Sequence, residues 1–340
     1  MTVKQQERQE SGLLYSIPVE LKGRILEPNR RIPLNLESVE EVRVNTSAVE
    51  RRAATIDTRR SVKKQWQAAW LLRAIACMDL TTLSGDDSAE RVKRLCAKAR
   101  HPLQQNVVEK LGIEELGLTV GAVCVYHAFV ETAVKALEGT SIPVAAVSTG
   151  FPAGLSPLAE RVQEIRRSVE AGAQEIDIVI TRAHVFNGEW QALYDEVAAF
   201  KDACGPAHMK AILGTGDLLT LRNVARASAV AMMAGADFIK TSTGKEAVNA
   251  TIPVSLVMVR AIRNYAEKTG MYVGFKPAGG IKTAKQALQW MYVMKDELGR
   301  PWLEPNLFRF GASSMLADIE RQLEHYVTGR YSAAYRHPIA

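Results

Sequence analysis

The sequence predicts an α/β protein, a (β/α)8 TIM barrel with an N-terminal extension. Three observations carry that reading. From Ser61 onward, eight short apolar runs alternate with amphipathic stretches in a regular beat. The phrase Ala171-Gly172-Ala173 recurs as Ala234-Gly235-Ala236, each marking a helix that ends in glycine and re-enters a sheet. Glycine-rich turns cluster after the later runs, where barrels commonly bind phosphate. A doubly wound open sheet shares the beat, but no Gly-x-Gly-x-x-Gly follows the first run.

Residues 1–60 read as an extension, partly irregular and draped over the domain. They are rich in charge, Pro and Ser, and Pro18, Pro28 and Pro33 oppose long helices. Val62, Trp66, Ala69, Trp70 and Arg73 then recur at helical spacing, with Ser61 as the expected N-cap. The expected strands are Ile75–Leu80, Ala122–Tyr126, Val144–Val147, Glu175–Ile180, Met209–Leu213, Asp237–Lys240, Tyr272–Lys276 and Leu307–Phe310. Between them lie helices over Ala89–Ala99, Leu158–Ala171, Trp190–Ala203, Leu218–Ala234, Pro253–Lys268 and Thr283–Leu298. The barrel spans 61–329, and residues 330–340 form a flexible tail.

Composition narrows the classes. Hydrophobic residues at 47% and charged residues at 24% suit a soluble globular chain. No apolar run approaches the ~20 residues of a membrane span, and the N-terminus lacks the apolar segment of a secretory signal. Cys77, Cys96, Cys124 and Cys204 have no metal-binding spacing, so reduced thiols and a cytoplasmic location are expected, with no metal or cofactor. A net charge of +6 fits an anionic small substrate. Arg51-Arg52, Arg59-Arg60 and Lys63-Lys64 read as solvated helix faces, and no zinc-finger or aromatic single-strand motif supports nucleic-acid binding.

The chemistry sits at the strand ends. In a barrel these project into one shared mouth, and the runs end on or near Asp79, Cys124, Asp177, Lys210, Lys240 and Lys276. A buried lysine is costly, because desolvation disfavours its ammonium and a second ammonium nearby disfavours it further. Such an amine becomes nucleophilic and can form a Schiff base, whose iminium is the electron sink for breaking an adjacent carbon–carbon bond. Asp177 with an ordered water is the proton-transfer candidate. It could equally neutralise Lys210 or Lys240 as a structural ion pair. Asp79 could cap the loop from Thr81 to Asp86, and Cys124 is first a buried wall residue. Thr243-Gly244-Lys245, Ala278-Gly279-Gly280 and Gly311-Ala312-Ser313-Ser314 combine small residues with amides near helix starts, which attract phosphate.

These motifs resemble those of the deoxyribose-phosphate aldolases. Met78–Leu83, Asp237–Lys245 continuing to Thr251, Val273–Gly280 and Arg309–Ser313 match the family's motifs in order. Lys63–Leu72 and Arg260–Arg263 resemble the longer, animal-type members, and the similarity runs from about Ser61 to Gly329. The resemblance implies reversible cleavage of 2-deoxy-D-ribose 5-phosphate to D-glyceraldehyde 3-phosphate and acetaldehyde, without a metal. It implies Lys240 as the Schiff-base lysine, Lys276 as the neighbour that depresses its pKa, Asp177 as the proton relay and Lys210 as a supporting lysine. Gly280, Ser313 and Ser314 match phosphate contacts, and Asp79, Thr81, Cys124, Thr243, Lys245 and Gly279 complete the expected substrate contacts. The expected partners are a phosphorylated sugar and small aldehydes, in a homo-oligomer with no membrane and no nucleic acid. Three positions depart from the family: Gly214 stands where many members have glutamate or alanine, His127 stands where proline is usual, and Tyr335 or Tyr331 offers the tail tyrosine that reaches the site in many members. The competing readings are another Schiff-base or transaldolase-like barrel, and a non-catalytic RNA-associated scaffold using residues 1–60.

Overall fold

The computed structural model describes residues 27–338; the expectations for residues 1–26 and for the last two residues lie outside them. Eight strands form one parallel sheet: β1 (Met78–Thr81), β2 (Ala122–Tyr126), β3 (Val144–Val147), β4 (Glu175–Val179), β5 (His208–Ile212), β6 (Phe238–Lys240), β7 (Gly274–Lys276) and β8 (Phe310–Ala312). Their order is β7-β6-β5-β4-β3-β2-β1-β8. Parallel bridges Phe275↔Phe308 and Ala278↔Gly311 join the two edges, so the sheet closes into the expected barrel.

Among the described residues, three short helices precede the barrel: α1 (Leu36–Glu40), α2 (Thr46–Ala54) and α3 (Ile56–Arg59). α4 (Lys64–Ala76) leads into β1, and α5 (Ala89–Arg100) and α6 (Gln105–Leu111) lead into β2. Then come α7 (Val130–Ala136), α8 (Leu158–Glu170), α9 (Arg182–Asn187), α10 (Trp190–Cys204), α11 (Leu221–Met233), α12 (Ile252–Thr269), α13 (Ala284–Glu297) and α14 (Ser314–Thr328). Ser88, Thr220, Thr251 and Thr283 accept from the backbone N–H three residues on, which fixes the starts of α5, α11, α12 and α13. No described helix is long and apolar enough to cross a membrane.

The repeated Ala-Gly-Ala phrase is one structural device used twice. Gly172 (φ 99°) and Gly235 (φ 101°) end α8 and α11 in a conformation that favours glycine. Ala173 N–H then bonds Ser168 O, and Ala236 N–H bonds Ala231 O, before the chain enters β4 and β6.

Three expected boundaries are corrected. Ile75 and Ala76 close α4 rather than opening β1, because a short apolar run does not distinguish a buried helix from a strand. α4 starts at Lys64 without a side-chain cap, so Ser61 is not its N-cap. At the barrel seam Phe308 makes only an isolated bridge, and regular β8 begins at Phe310.

The extension is tied down by polar contacts. Buried Asn29 donates from its side chain to Met232 O (2.8 Å) and Ala236 O (2.9 Å), and from its backbone to Asp237 (2.8 Å). Arg222 and Arg226 donate to the carbonyls of Val39, Glu40 and Val42, satisfying the end of α1.

Candidate active site

Residues alternate between the barrel lumen and the helix layer along each strand. That parity puts Glu175 and Asp177 of β4, Lys210 of β5, Lys240 of β6, Lys276 of β7 and Asp79 of β1 inside, and the register levels Asp177 with Lys210 and Lys240 with Lys276. Just before β8, Arg309 enters the same space. All seven are buried.

They form one connected network. Asp177 accepts from Lys240 Nζ (2.7 Å), Lys276 Nζ (2.7 Å) and Lys210 Nζ (3.2 Å). Lys276 also bonds Asp79, and Lys210 also bonds Glu175. Arg309 reaches Asp79 (2.6 Å) and Glu175 (2.8 Å). Burial alone would push each carboxyl pKa up, but the cations around them win and hold Asp79, Glu175 and Asp177 below the ordinary range. Burial likewise opposes the charge on Lys210 and Lys276, yet adjacent carboxylates hold both pKa values up.

Lys240 is the exception. Burial pushes its pKa down, Asp177 opposes, the Lys276 ammonium pushes it down further, and the net direction is downward. It is 3% exposed, at the upper end of the network. Above it on the same inward parity lies Ser242, buried, its hydroxyl without a hydrogen-bond partner among the described residues. Sequence reasoning missed Ser242, Glu175 and Arg309; the strand parity read from Lys240 and Asp177 would have found the first two. Cys124 lines the lumen with Leu83, Ala145 and Val147, and burial raises its thiol pKa.

The glycine-rich turns meet on one side of the mouth. Gly279 N–H bonds Gly311 O, and a Cβ placed on Gly244 would lie 3.9 Å from Gly279 Cα. Lys245, Gly280 and Ser314 are exposed there, with Ser314 opening α14. Three of the expected contacts, Thr81, Ser313 and Thr243, already have partners within the protein. The Ser313 hydroxyl accepts from Thr81 N–H (3.1 Å) and donates to Thr81 O, clasping β8 to β1, so both residues shape the mouth. The Thr243 hydroxyl donates to Glu246 (2.8 Å), which also accepts from the amides of Thr243 and Gly244. Glu246, which the sequence did not single out, therefore occupies amides expected to face phosphate.

The departures resolve locally. Gly214 has φ 65°, and a Cβ there would meet Arg182 Cδ at 2.9 Å, so this loop is built around glycine. His127 opens a short turn and faces Glu164 (3.3 Å). The described part of the tail, through Pro338, packs along α14 and away from the mouth. Ser332 bonds His337 (2.6 Å), His337 faces Glu324 (3.1 Å) on α14, and Gln104 donates to Arg336 O (2.9 Å). Tyr335 is 85% exposed, and Tyr331 stacks on His325 (4.0 Å), so neither tyrosine is at the site in this structure.

Comparison with known proteins agrees with this geometry. Residues 73–318 match the model of the DeoC/LacD family aldolases. The chain is 59% identical over 313 residues to deoxyribose-phosphate aldolase of Mus musculus, covering 92% of this chain and 98% of that protein. It is 56% identical over 314 residues to the Homo sapiens deoxyribose-phosphate aldolase, covering 92% and 99%. The fold matches a crystal structure of a Toxoplasma gondii protein described as a deoxyribose-phosphate aldolase, with TM-score 0.64 at 20% identity over 79% of this chain and 98% of that one. A buried lysine network at the mouth of a parallel barrel, with relatives of this closeness along nearly its whole length, places the chain in the DeoC/LacD aldolase family, among the deoxyribose-phosphate aldolases.

Proposed function

We propose that the chain reversibly cleaves 2-deoxy-D-ribose 5-phosphate to D-glyceraldehyde 3-phosphate and acetaldehyde through a Schiff base on Lys240. The observation that carries this is the placement of Lys240, buried at the upper end of the network and facing one carboxylate, Asp177, that two other ammoniums share. Its free amine adds to the C1 aldehyde of the open-chain sugar, and loss of water gives an iminium. Removal of the C3 hydroxyl proton lets the C2–C3 bond break, with its electron pair flowing into the iminium to give an enamine. Protonation at C2 and hydrolysis then release acetaldehyde.

Asp177, ionised and in contact with both Lys240 and Lys276, is the group through which those protons move, with Lys276 as its charged partner. Lys210 and Asp79 hold this pair in place. The lumen wall of Cys124, Ala145 and Val147 suits the two-carbon fragment. Lys245, the Gly280 amide and the Ser314 end of α14 lie on the side of the mouth suited to the phosphate of an anchored sugar. Ser242, whose hydroxyl has no hydrogen-bond partner among the described residues, suits a substrate hydroxyl. Four buried unpaired cysteines fit a reducing compartment, so a cytoplasmic location is proposed. A homo-oligomer is proposed with it, to be checked by light scattering.

Borohydride reduction in the presence of acetaldehyde, followed by mass spectrometry, tests the central step. The expected result is a single ethyl adduct on Lys240. An adduct on Lys276 or Lys210 instead, or none during turnover, would overturn the assignment.

A further inference from the structure

The buried network has an uneven charge count. Its acids are Asp79, Glu175 and Asp177, and its bases are Lys210, Lys240, Lys276 and Arg309. Three carboxylates thus face four cationic groups. With all seven ionised the lumen carries one uncompensated positive charge, which is costly away from water. With one base neutral, the count closes.

The contacts decide which base that is. Arg309 spans two carboxylates, Asp79 and Glu175. Lys210 contacts Glu175 and Asp177, with Asp79 at 3.8 Å. Lys276 contacts Asp79 and Asp177. Lys240 has only Asp177, shared with two other ammoniums. The Cys124 thiol, the remaining titratable group near Lys240, is kept neutral by burial.

We infer that Arg309 and Glu175, placed beneath the reactive layer and out of contact with Lys240, are positioning residues that select Lys240 as the neutral amine by fixing the charge count of the buried network. Arg309 occupies Glu175 and the Asp79 oxygen that Lys276 leaves free. The lower layer is thereby saturated, and Asp177 is left as the one acid the upper lysines share with Lys210. This inference rests on Lys240 being the nucleophile.

The test is the pH profile of iminium formation with acetaldehyde in four variants. Arg309→Met removes a cation and leaves three carboxylates facing three lysines. Lys240 is then needed as a counter-ion, and the acid limb should move up by about one pH unit, as expected for one charge across several ångströms of protein. Glu175→Gln removes an anion and should move the limb down. The double variant Arg309→Met/Glu175→Gln restores the count and should return the limb toward wild type, although each substitution alone displaces it. Arg309→Lys keeps the charge while losing the fork, and should leave the limb in place.

A purely structural role predicts lower amplitude with an unmoved limb in both single variants, and further loss in the double. That pattern would overturn the inference. Circular dichroism identifies any variant that does not fold. If Arg309→Met is one, Glu175→Gln decides alone, since an unmoved or upward limb sinks the idea. Mass spectrometry of the trapped adduct separates the two readings. An adduct that moves off Lys240 in wild type counts against the proposed nucleophile, whereas an adduct on Lys240 with an unmoved limb counts against the charge rule.

Discussion

Lys240 and Lys276 sit level on adjacent strands and share Asp177, yet their surroundings push their pKa values in opposite directions. Burial opposes the charge on both; Lys276 gains a second carboxylate, Asp79, and Lys240 does not. Lys240→Ala should therefore abolish cleavage and adduct formation while leaving the circular dichroism spectrum unchanged; residual turnover near wild type would refute its role. Lys276→Leu removes a cation and should raise the Lys240 pKa, moving the acid limb of the pH–rate profile upward. A two-unit move would correspond to about 2.7 kcal/mol of lost differential interaction. An unmoved limb with reduced amplitude would point to Lys276 as a positioning group alone. On the phosphate side, Ser314→Ala removes an exposed hydroxyl at the start of α14. A hydrogen bond to a charged group is worth roughly 1.5–3 kcal/mol, so kcat/KM for the phosphorylated sugar should fall about tenfold to a hundredfold. Unphosphorylated deoxyribose should be barely affected, and equal losses for both sugars would count against a phosphate contact.

At the scale of elements, β6 and β7 are matched by one size relationship. Phe238 of β6 points into the lumen, and a Cβ on Gly274 of β7 would lie 2.3 Å from its ring. The same ring faces Lys210 Nζ at 6.0 Å. Gly274→Ala should cost roughly 1–3 kcal/mol through overpacking. Urea unfolding measures it, and an unchanged midpoint would show that the ring moves aside freely. The extension hangs on Asn29, whose side chain serves Met232 O, Ala236 O and the Tyr265 hydroxyl. Asn29→Ala takes the donor away from Ala236 O, while Met232 O keeps the Tyr265 hydroxyl, at a cost of about 1–3 kcal/mol. Faster protease cleavage before α1 is the expected sign. Helices were legible to within a few residues because caps such as Thr283 and stops such as Gly235 act locally. Strand starts were less so: Ile75 and Ala76 are as apolar as the strand they precede, and only packing assigns them to α4.

For the molecule as a whole, the buried network makes stability depend on acid. Asp79, Glu175 and Asp177 have lowered pKa values when folded, so below about pH 4 the unfolded chain binds more protons than the folded one. The stability they contribute is present above the ordinary carboxylate range and is lost as pH falls through it toward the depressed values. Glu304 and Glu320, whose pKa values burial raises, act in the opposite sense at slightly higher pH. Thermal unfolding followed by circular dichroism should show a Tm that changes little from about pH 7 to 5 and drops steeply below about pH 4. A Tm that stays level to about pH 3 would mean that the network is already protonated or adds nothing to stability.

The sequence by itself determined the barrel, the limits of the longer helices from α5 to α13 that carry caps or glycine stops, and the gathering of Lys240, Lys276, Asp177 and Lys210 at strand ends of one barrel. Each of these follows from local signals: periodicity, caps, glycine stops, and lysines embedded in apolar strand ends. Tertiary structure alone decided what those residues face. Arg309 looks like an ordinary strand residue until the barrel closes and brings it to Asp79 and Glu175, 230 and 134 positions away. That Thr81 and Glu246 take up the hydroxyls of Ser313 and Thr243 is set by the folded chain, since neither pairing is marked in the sequence. Tyr335 had no determined destination until the His337 contacts fixed the tail on α14. The physical reason is that charge balance and hydrogen-bond satisfaction depend on which groups share a dry space, and distance along the chain does not set that.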